Sequence, residues 1–588
     1  MSRIVGIDLG TTNSLVAHLG PNGRPEILPN AAGRRLTPSV VGLDRNGTIH
    51  VGETARNQLV AMPERTVAEV KRLMGTGEKI SLGDRRYRPQ EISALVLRSL
   101  KADAERALGG PVEEAIITVP AYFTDAARQA TKDAGELAGF TVERILNEPT
   151  AAALAYGLDH LGAEQHVVVF DMGGGTLDVS VLEMFQGVLE VKASAGNDRL
   201  GGTDVDRVIA DWLADEFRKE HGQDLAGDRT AQARLKAAAE QAKVELSTLD
   251  VTTVLLPFLA VKDGRALSLE VELTRARLEA LASDLLVKAM VPVETALRDA
   301  RLAREAITDV VMVGGSSRMP VVRRMVSEFF GKEPRGGVHP DEAVALGAAV
   351  QAGLKAGALA GMDGIVVTDV NPFTLGVEVM GLAGRQPVSG LFSPIIPRNS
   401  TVPVSRTEIY STVRDGQEVV DIRVFQGESS HCADNVFLDG YRVEGVPRAP
   451  AGVEKVAVTF TYDLNGILHV TTRIVSTGHE ARLTVAHSAQ RLDPAARAAA
   501  RARLDSEFGP GRPAPPASAA APAGSPESAA LLLAAARSRL SSATGAARER
   551  LLHLVGELER AVSEKRTGDA ARWEREIADA LLALAVEA

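Results

Sequence analysis

Two aspartates flank a run of glycines in the stretch Asp171-Met172-Gly173-Gly174-Gly175-Thr176-Leu177-Asp178. Consecutive glycines leave backbone N–H groups unshielded, so a polyphosphate could approach the turn closely. Thr176 adds a hydroxyl donor. Carboxylates repel phosphates, so Asp171 and Asp178 on either side of the turn make most sense with a hydrated Mg²⁺ between the charges. The bland alternative is a glycine-rich hairpin with two solvated acids. This stretch alone leaves both readings open.

The residues around the turn say what must hold it. Val167 to Phe170 reads as a buried strand, and Leu177, Val179 and Val181 alternating with Asp178 and Ser180 read as the returning strand. The chain repeats the device near its start, where Ile4-Val5-Gly6-Ile7-Asp8 leads through Gly10, Thr11, Thr12 and Asn13 into Leu15-Val16-Ala17. Two such hairpins a lobe apart predict a duplicated domain with one nucleotide between its halves. A third glycine turn, Gly314-Gly315-Ser316-Ser317-Arg318, follows the apolar run Val310 to Val313 and leads into a helical pattern. The three together are far more specific than any one of them.

With 588 residues the chain is too long for one core, and several domains are expected. Hydrophobic content of 45% and charged content of 24% are those of an ordinary globular protein. A net charge of −10 argues against a nucleic-acid or anionic-membrane binder. The single cysteine, Cys432, excludes an intramolecular disulfide and fits a reducing compartment. No apolar run approaches the ~18 residues of a membrane span, and Met1-Ser2-Arg3 leads into no signal-peptide core. The expectation is a soluble, cytoplasmic protein with no nucleic-acid or membrane partner.

The segments 6–14, 119–139, 147–158, 171–181 and 313–320 resemble the ATPase half of the heat-shock-seventy chaperones of the DnaK type. The similarity continues into the second half of the chain and weakens near the C-terminus. It implies an actin-like duplicated α/β ATPase domain over 1–362, an interdomain linker over 363–370 and a β-sandwich peptide-binding domain over 371–490. A short helix over 491–508, a Pro/Ala-rich linker over 509–526 and a helical lid bundle over 527–588 complete the plan. ATP or ADP, Mg²⁺ and K⁺ are the ligands implied. The function implied is slow, partner-stimulated ATP hydrolysis that switches the peptide domain from fast exchange to tight holding of unfolded clients.

The same resemblance assigns site residues. Lys71, read as lying on a helical stretch from Thr66 to Leu73, matches the lysine at the γ-phosphate and attacking water; otherwise it is a solvated helix lysine. Glu148, just before an alanine-rich helix, would orient the water-and-metal network with Asp171, Thr176 and Asp178, and Asp8 and Asp171 would hold Mg²⁺ through water. Gly10, Thr11, Thr12, Asn13, Gly173, Gly174, Gly175, Gly201, Gly202 and Thr203 would lie along the phosphates. Glu240, Lys243 and Ser247 share one face of the helical run 235–247, with Leu235, Ala239, Ala242 and Leu246 on another. They are either a surface pairing or, by resemblance, the clamp on ribose and adenine, closed by Gly314, Gly315, Ser317 and Arg318. Asp341, opening the last helix of the lobe, completes the network.

Pro120 and Arg128 match a relay between the domains; otherwise they are a strand-ending proline and an exposed arginine. The apolar run Ile365-Val366-Val367 in a connector is better explained as a strand that docks in one state than as an exposed linker, although it could belong wholly to the next domain. Asp369 with Arg144 matches the surface for a J-domain co-chaperone. From 371 onward, alternating apolar runs and the hairpin signal Asp463-Leu464-Asn465-Gly466 predict strands. Val377, Tyr410, Val420 and Ile422 would line an apolar slot for an extended peptide, with Met380 and Val413 arching over it. Ordinary core is the alternative for these aliphatics.

Three departures stand out. The chain is shorter than the usual bacterial member between Lys71 and the strand 115–119, which leaves contact with a nucleotide exchange factor open. Val413 replaces a smaller residue. The proline-rich segment after the helix 492–508 interrupts the lid, whose helices are expected at 527–541, 546–565 and 569–587. An actin-like small-molecule kinase is argued against by the strand-rich 371–490, whereas a nucleotide-dependent scaffold and a specialised iron–sulfur-assembly chaperone remain alternatives.

Overall fold

The computed structural model describes residues 3–158, 164–185, 187–335, 339–358, 366–383, 386–484, 494–508 and 545–563, with Trp573, Glu576 and Ile577. They fall into two units, 1–511 and 512–588.

In the first unit the duplication appears as repeated topology. Ile4–Asp8, Asn13–Leu19 and Pro25–Ile27 form an antiparallel meander, and Ile4–Asp8 takes Glu114–Val119 in parallel on its other side, followed by Thr141–Asn147. Gln165–Met172, Leu177–Phe185 and Val188–Asn197 repeat the meander, and Asp309–Val313 repeats the parallel neighbour. Parallel neighbours need crossovers, and helices such as Pro89–Leu108 and Asp125–Leu137 supply them. Between the two sheets lie the helices Glu148–Gly157 and Ala343–Lys355. Leu154, Ala348 and Val350 share one apolar cluster with Ile116 of the first sheet and Val167 and Val169 of the second.

Val366–Val370 is a strand held from both sides. It runs parallel to the edge of the second sheet, pairing Val366 with Val188 and Leu189 with Val367, and antiparallel to Thr401–Val402 of the following domain. It therefore belongs to neither domain alone. Beyond it, strands 386–396, 375–383, 419–426 and 436–444 form one four-stranded sheet, and 404–411, 455–462, 468–474 and 480–484 form another. Val377, Ile422, Val424, Val458, Phe460 and Val470 fill one core between them.

Helix Pro494–Phe508 packs on the first lobe. Ala500 and Leu504 enter that lobe's core. Charges then fix the register: Arg497 pairs with Asp133 (2.9 Å) and Glu136, Arg98 with Asp505 (2.6 Å), and Arg503 with Glu91. The Tyr87 hydroxyl donates to Glu507 at 2.7 Å. In the second unit Gly545–Ser563 is a helix, close to the expected 546–565. The segment 509–526, the helix expected at 527–541 and most of that at 569–587 lie outside the described residues. Among the described residues no helix is long and apolar enough to cross a membrane.

Several local expectations are corrected. Residues 66–73 are not one helix but a two-residue strand, Thr66–Val67, and a 3₁₀ turn, Val70–Leu73. Glu69 between them sits at φ 59°, a left-handed conformation that ends right-handed continuity. Glu148 is the first residue of its helix rather than the one before it, and the last helix of the second lobe opens at Ala343, after Asp341. The helix over 235–247 runs Arg229–Glu245, leaving Ser247 in the turn that follows.

The closest approach in this frame is Gly347, where an added Cβ would lie 1.6 Å from the Ala151 carbonyl oxygen. Overpacked cores lose stability, so Gly347→Ala is expected to cost about 2–3 kcal/mol in urea unfolding of the full chain followed by circular dichroism. An unchanged midpoint would mean the two helices are not in contact there.

Candidate functional site

The three glycine turns meet. A Cβ on Gly174 would lie 2.1 Å from Thr12 Oγ1, so the turns of the two hairpins are in direct apposition. Gly314, at φ 80°, carries the third turn across the Met172 carbonyl, with no room for a side chain. Gly202 N and Thr203 N donate to the carbonyls of Gly173 and Gly174 at 3.0 and 2.8 Å, and the Ser316 hydroxyl donates to Gly173 O at 2.8 Å. Together the turns enclose a cavity of about 750 Å³. Gly10, Thr11, Thr12, Asn13, Lys71, Glu148, Asp171, Gly173, Gly174 and Thr176 line it. Thr203, Glu240, Lys243, Ser247, Gly314, Gly315, Ser317, Arg318 and Asp341 complete the wall with Asp8. Gly175, Asp178, Gly201 and Gly202 are not part of that wall.

At its floor Lys71 Nζ donates to Glu148 Oε1 at 2.5 Å, with both side chains buried. Burial alone would depress the Lys71 ammonium, but Glu148 and Asp8 outweigh it and raise its pKa. The neighbouring acids are displaced upward. Asp8 is pushed up to about 7 by lost hydration and then by Glu148. Asp178, which accepts from Tyr122 N at 3.0 Å, is pushed up to about 7 by burial and Glu148. Asp171 is raised well above the carboxylate range by burial, Glu148 and Asp178.

Four carboxylates around one ammonium make a site short of positive charge, which fits a divalent cation. Among the described residues no three carboxylate, imidazole or thiol groups converge closely enough to chelate a metal. A hydrated ion held through water by Asp8 and Asp171 is what this donor set can take.

At the other end Lys243 Nζ contacts Asp206 at 2.7 Å and Gly202 O at 3.1 Å. The Ser247 hydroxyl donates to Lys243 O, and Arg318 pairs with Asp341 at 2.6 Å. Sequence reasoning missed Arg56, Arg72 and Asp206. Arg56 crosses between the lobes to Glu240 at 2.9 Å, and Arg72 reaches Thr203 at 2.9 Å and Asp204 at 3.0 Å. Only the adjacency of Arg72 to Lys71 and of Asp206 to the 201–204 turn hinted at them.

Arg128 is 3% exposed rather than a surface residue. It donates to Ala121 O at 2.8 Å and Asn147 Oδ1 at 2.7 Å, and lies against Gly466 of the second domain. Pro120 is buried at the end of its strand. Asp369 was expected at a partner surface with Arg144, yet it is 6% exposed. It lies on the docked strand itself, and its carboxylate accepts from Thr150 Oγ1 at 3.0 Å and Val370 N at 2.8 Å. Burial raises its pKa, opposed by the Val370 N–H and Arg128. Arg144 bonds to Gln351 at 3.0 Å. In the second domain Val377 and Ile422 lie in the core, Tyr410 and Val420 are half-buried against it, and Met380 (39%) and Val413 (47%) are exposed.

Two like lobes closing glycine turns and acids on one cavity, with a shared strand leading to a β domain, define a nucleotide-dependent two-domain machine. A family model described as Hsp70 protein matches residues 4–82 and 76–507. The two matched ranges overlap at residues 76–82. Chaperone protein DnaK of Thermotoga neapolitana is 52% identical over 485 residues, spanning 82% of this chain and 80% of that one. The protein of the same name from Thermosipho africanus is 51% identical over 484 residues, spanning 82% and 79%. The chain belongs to the Hsp70 family, in its DnaK type. It is an ATP-hydrolysing molecular chaperone of a family that binds nucleotide with Mg²⁺.

The raised acids have a consequence for the protein without nucleotide or metal. A carboxyl at 3.8 when unfolded and about 7 when folded costs nothing below pH 4. Its penalty grows as pH rises between those values and is complete above the upper one. Stability of the ligand-free chain is therefore expected to fall from pH 5 to 7.5, and Asp178→Asn to flatten that slope, in urea titrations across pH. An identical slope in the variant would remove Asp178 as a source.

Proposed function

We propose that the interlobe cavity is where ATP is hydrolysed, and that hydrolysis there controls an apolar peptide slot in the second domain. The reading assigns 1–362 to an actin-like ATPase domain, 363–370 to the linker, 371–490 to a peptide-binding sandwich and 527–588 to a helical lid. The convergence of three glycine turns and the Lys71–Glu148 pair on one cavity carries it.

Backbone N–H groups of the turns at 10–13 and 173–175, with Thr203, would cradle the phosphates. Glu240, Lys243, Ser247, Arg318 and Asp341 would hold the nucleoside. Water attacks the γ-phosphorus in line, and the P–O bond to ADP breaks as the new one forms. Lys71 faces the charge that develops, and Thr176 aligns the nucleophile; positioning and electrostatics supply most of such a reaction. Asp8 and Asp171 would hold Mg²⁺ through water, and the ion would supply neutralisation of phosphate charge. K⁺ is a further ion the family resemblance assigns to this site.

Val377, Tyr410, Val420 and Ile422 are assigned to the peptide slot, with Met380 and Val413 above it. Its clients are extended apolar segments of unfolded polypeptides. A J-domain co-chaperone is assigned to the face around Arg144, with Asp369 acting through the linker strand that it helps to dock. A nucleotide exchange factor is a further partner, its contact surface left open by the shortened edge of the first lobe.

Single-turnover ATP hydrolysis by the full chain tests this. An extended leucine-rich peptide and a J-domain protein are each expected to accelerate it. Thr176→Ala is expected to slow it about a hundredfold. ATP binding with no response to peptide would overturn the coupling, leaving only the ATPase.

A further inference from the structure

The Arg318 guanidinium has two partners on one nitrogen. Nη2 lies 2.6 Å from Asp341 Oδ2 and 2.9 Å from His339 Nε2. A guanidinium only donates hydrogen bonds, so this contact requires His339 Nε2 to carry a lone pair and the imidazole to be neutral. The His339 backbone is fixed independently, because its carbonyl accepts from Glu342 N and Ala343 N at 2.9 and 3.0 Å. The ring therefore stands at the start of the helix Ala343–Lys355, outside the cavity wall that Arg318 and Asp341 form.

We infer that His339 is a positioning residue for the nucleotide, its neutral ring holding Arg318 in place against the nucleoside end of the cavity. This rests on the reading of that cavity as the ATP site. Protonation replaces the acceptor with an N–H aimed at a cation, so the contact turns repulsive and Arg318 keeps only Asp341. Asp341 Oδ2 is 4.0 Å from His339 Nδ1 and would then be drawn toward the ring as well. The other charges nearby are engaged elsewhere: Glu342 with Arg35 at 2.9 Å, and Arg323 with Glu333 at 3.3 Å. Hold on nucleotide thus becomes pH-dependent through a group that never touches it.

The test is calorimetric titration of the full chain with ADP and Mg²⁺ at pH 7.5 and 5.5, for the parent, His339→Gln, His339→Ala and Arg318→Ala. All variants keep the backbone carbonyl of residue 339, and all share the titrating acids of the cavity floor, so only differences between slopes count. Gln keeps an acceptor that does not titrate at the reach of Nε2, and is expected to hold ADP nearly as tightly as the parent at pH 7.5. Ala is expected to bind about fivefold more weakly at pH 7.5, the worth of one hydrogen bond to a charged group. On acidification the parent is expected to lose about fivefold more affinity than His339→Gln. Equal slopes for the parent and His339→Gln, or parent-like affinity of His339→Ala at both pH values, would overturn the inference. If Arg318→Ala itself leaves ADP affinity untouched, the placement of the nucleoside fails instead.

Discussion

The arrangement of the first unit depends on one electrostatic constraint. Asp8, Glu148, Asp171 and Asp178 gather around a single ammonium, Lys71, where three of the four acids are buried. Charges taken out of water must be paired or neutralised. Lys71 satisfies Glu148 directly, and the remaining acids are left with raised pKa values. The protein therefore carries at its centre a deficit of positive charge that a hydrated divalent cation with its phosphate ligand can fill. Each of these side chains comes from a different strand end or helix start. The deficit exists only when both lobes are in place.

That explains why the two sheets repeat each other. A hairpin ending in a glycine turn presents N–H groups and one acid at its tip, and two such tips facing across a gap make a symmetric cradle. The glycines at the contact are needed because the turns nearly touch, as Gly174 against Thr12 and Gly314 over Met172 do. Between the lobes run the ties Arg56–Glu240, Lys236–Glu69 and Arg72–Asp204. Arg56–Glu240 and Lys236–Glu69 are partly exposed, and pairs of this kind contribute modestly to stability, whereas Arg72–Asp204 is largely enclosed.

Much of this was legible in the sequence. Each turn is marked by apolar strand, acid, glycine and hydroxyl in immediate succession, so the local signal and the final geometry coincide. Legibility failed where structure is set from a distance. Strands 386–396 and 436–444 carry a weak sequence signal, because Pro387, Gly390 and Pro394 in one, and Asp439-Gly440 in the other, interrupt the alternation, and pairing with neighbouring strands holds them extended. The helix at 66–73 failed at Glu69, whose left-handed backbone no propensity argument anticipates. Arg128 and Asp369 look like solvated charges from their sequence neighbours. Arg128 is buried where the second domain's hairpin lies against it, and Asp369 where its own strand docks beside Thr150. The ionic seat of helix 494–508 on the first lobe is likewise invisible, since alternating surface charges on a helix read equally well as solvent-facing.

The burial of those two charges bears on how the domains communicate. Arg128 reaches Asn147, the residue before Glu148, and lies against the Gly466 hairpin of the sandwich. That hairpin is itself held to the first lobe by Ile145 N donating to Asn465 Oδ1 at 3.0 Å and by Leu468 N donating to Asp125 at 3.1 Å. Asp369 hangs from Thr150, two residues beyond Glu148. A buried guanidinium and a buried carboxylate are tolerated only while their hydrogen-bond partners are present, and losing a partner costs more than the bond itself. Strand and hairpin thus satisfy these buried groups where they dock on the first lobe. Contiguity alone does not transmit a signal, but an element with two discrete arrangements does. Val366–Val370, paired with Val188–Asn197 on one side and Thr401–Val402 on the other, is pinned beside the helix that begins with Glu148.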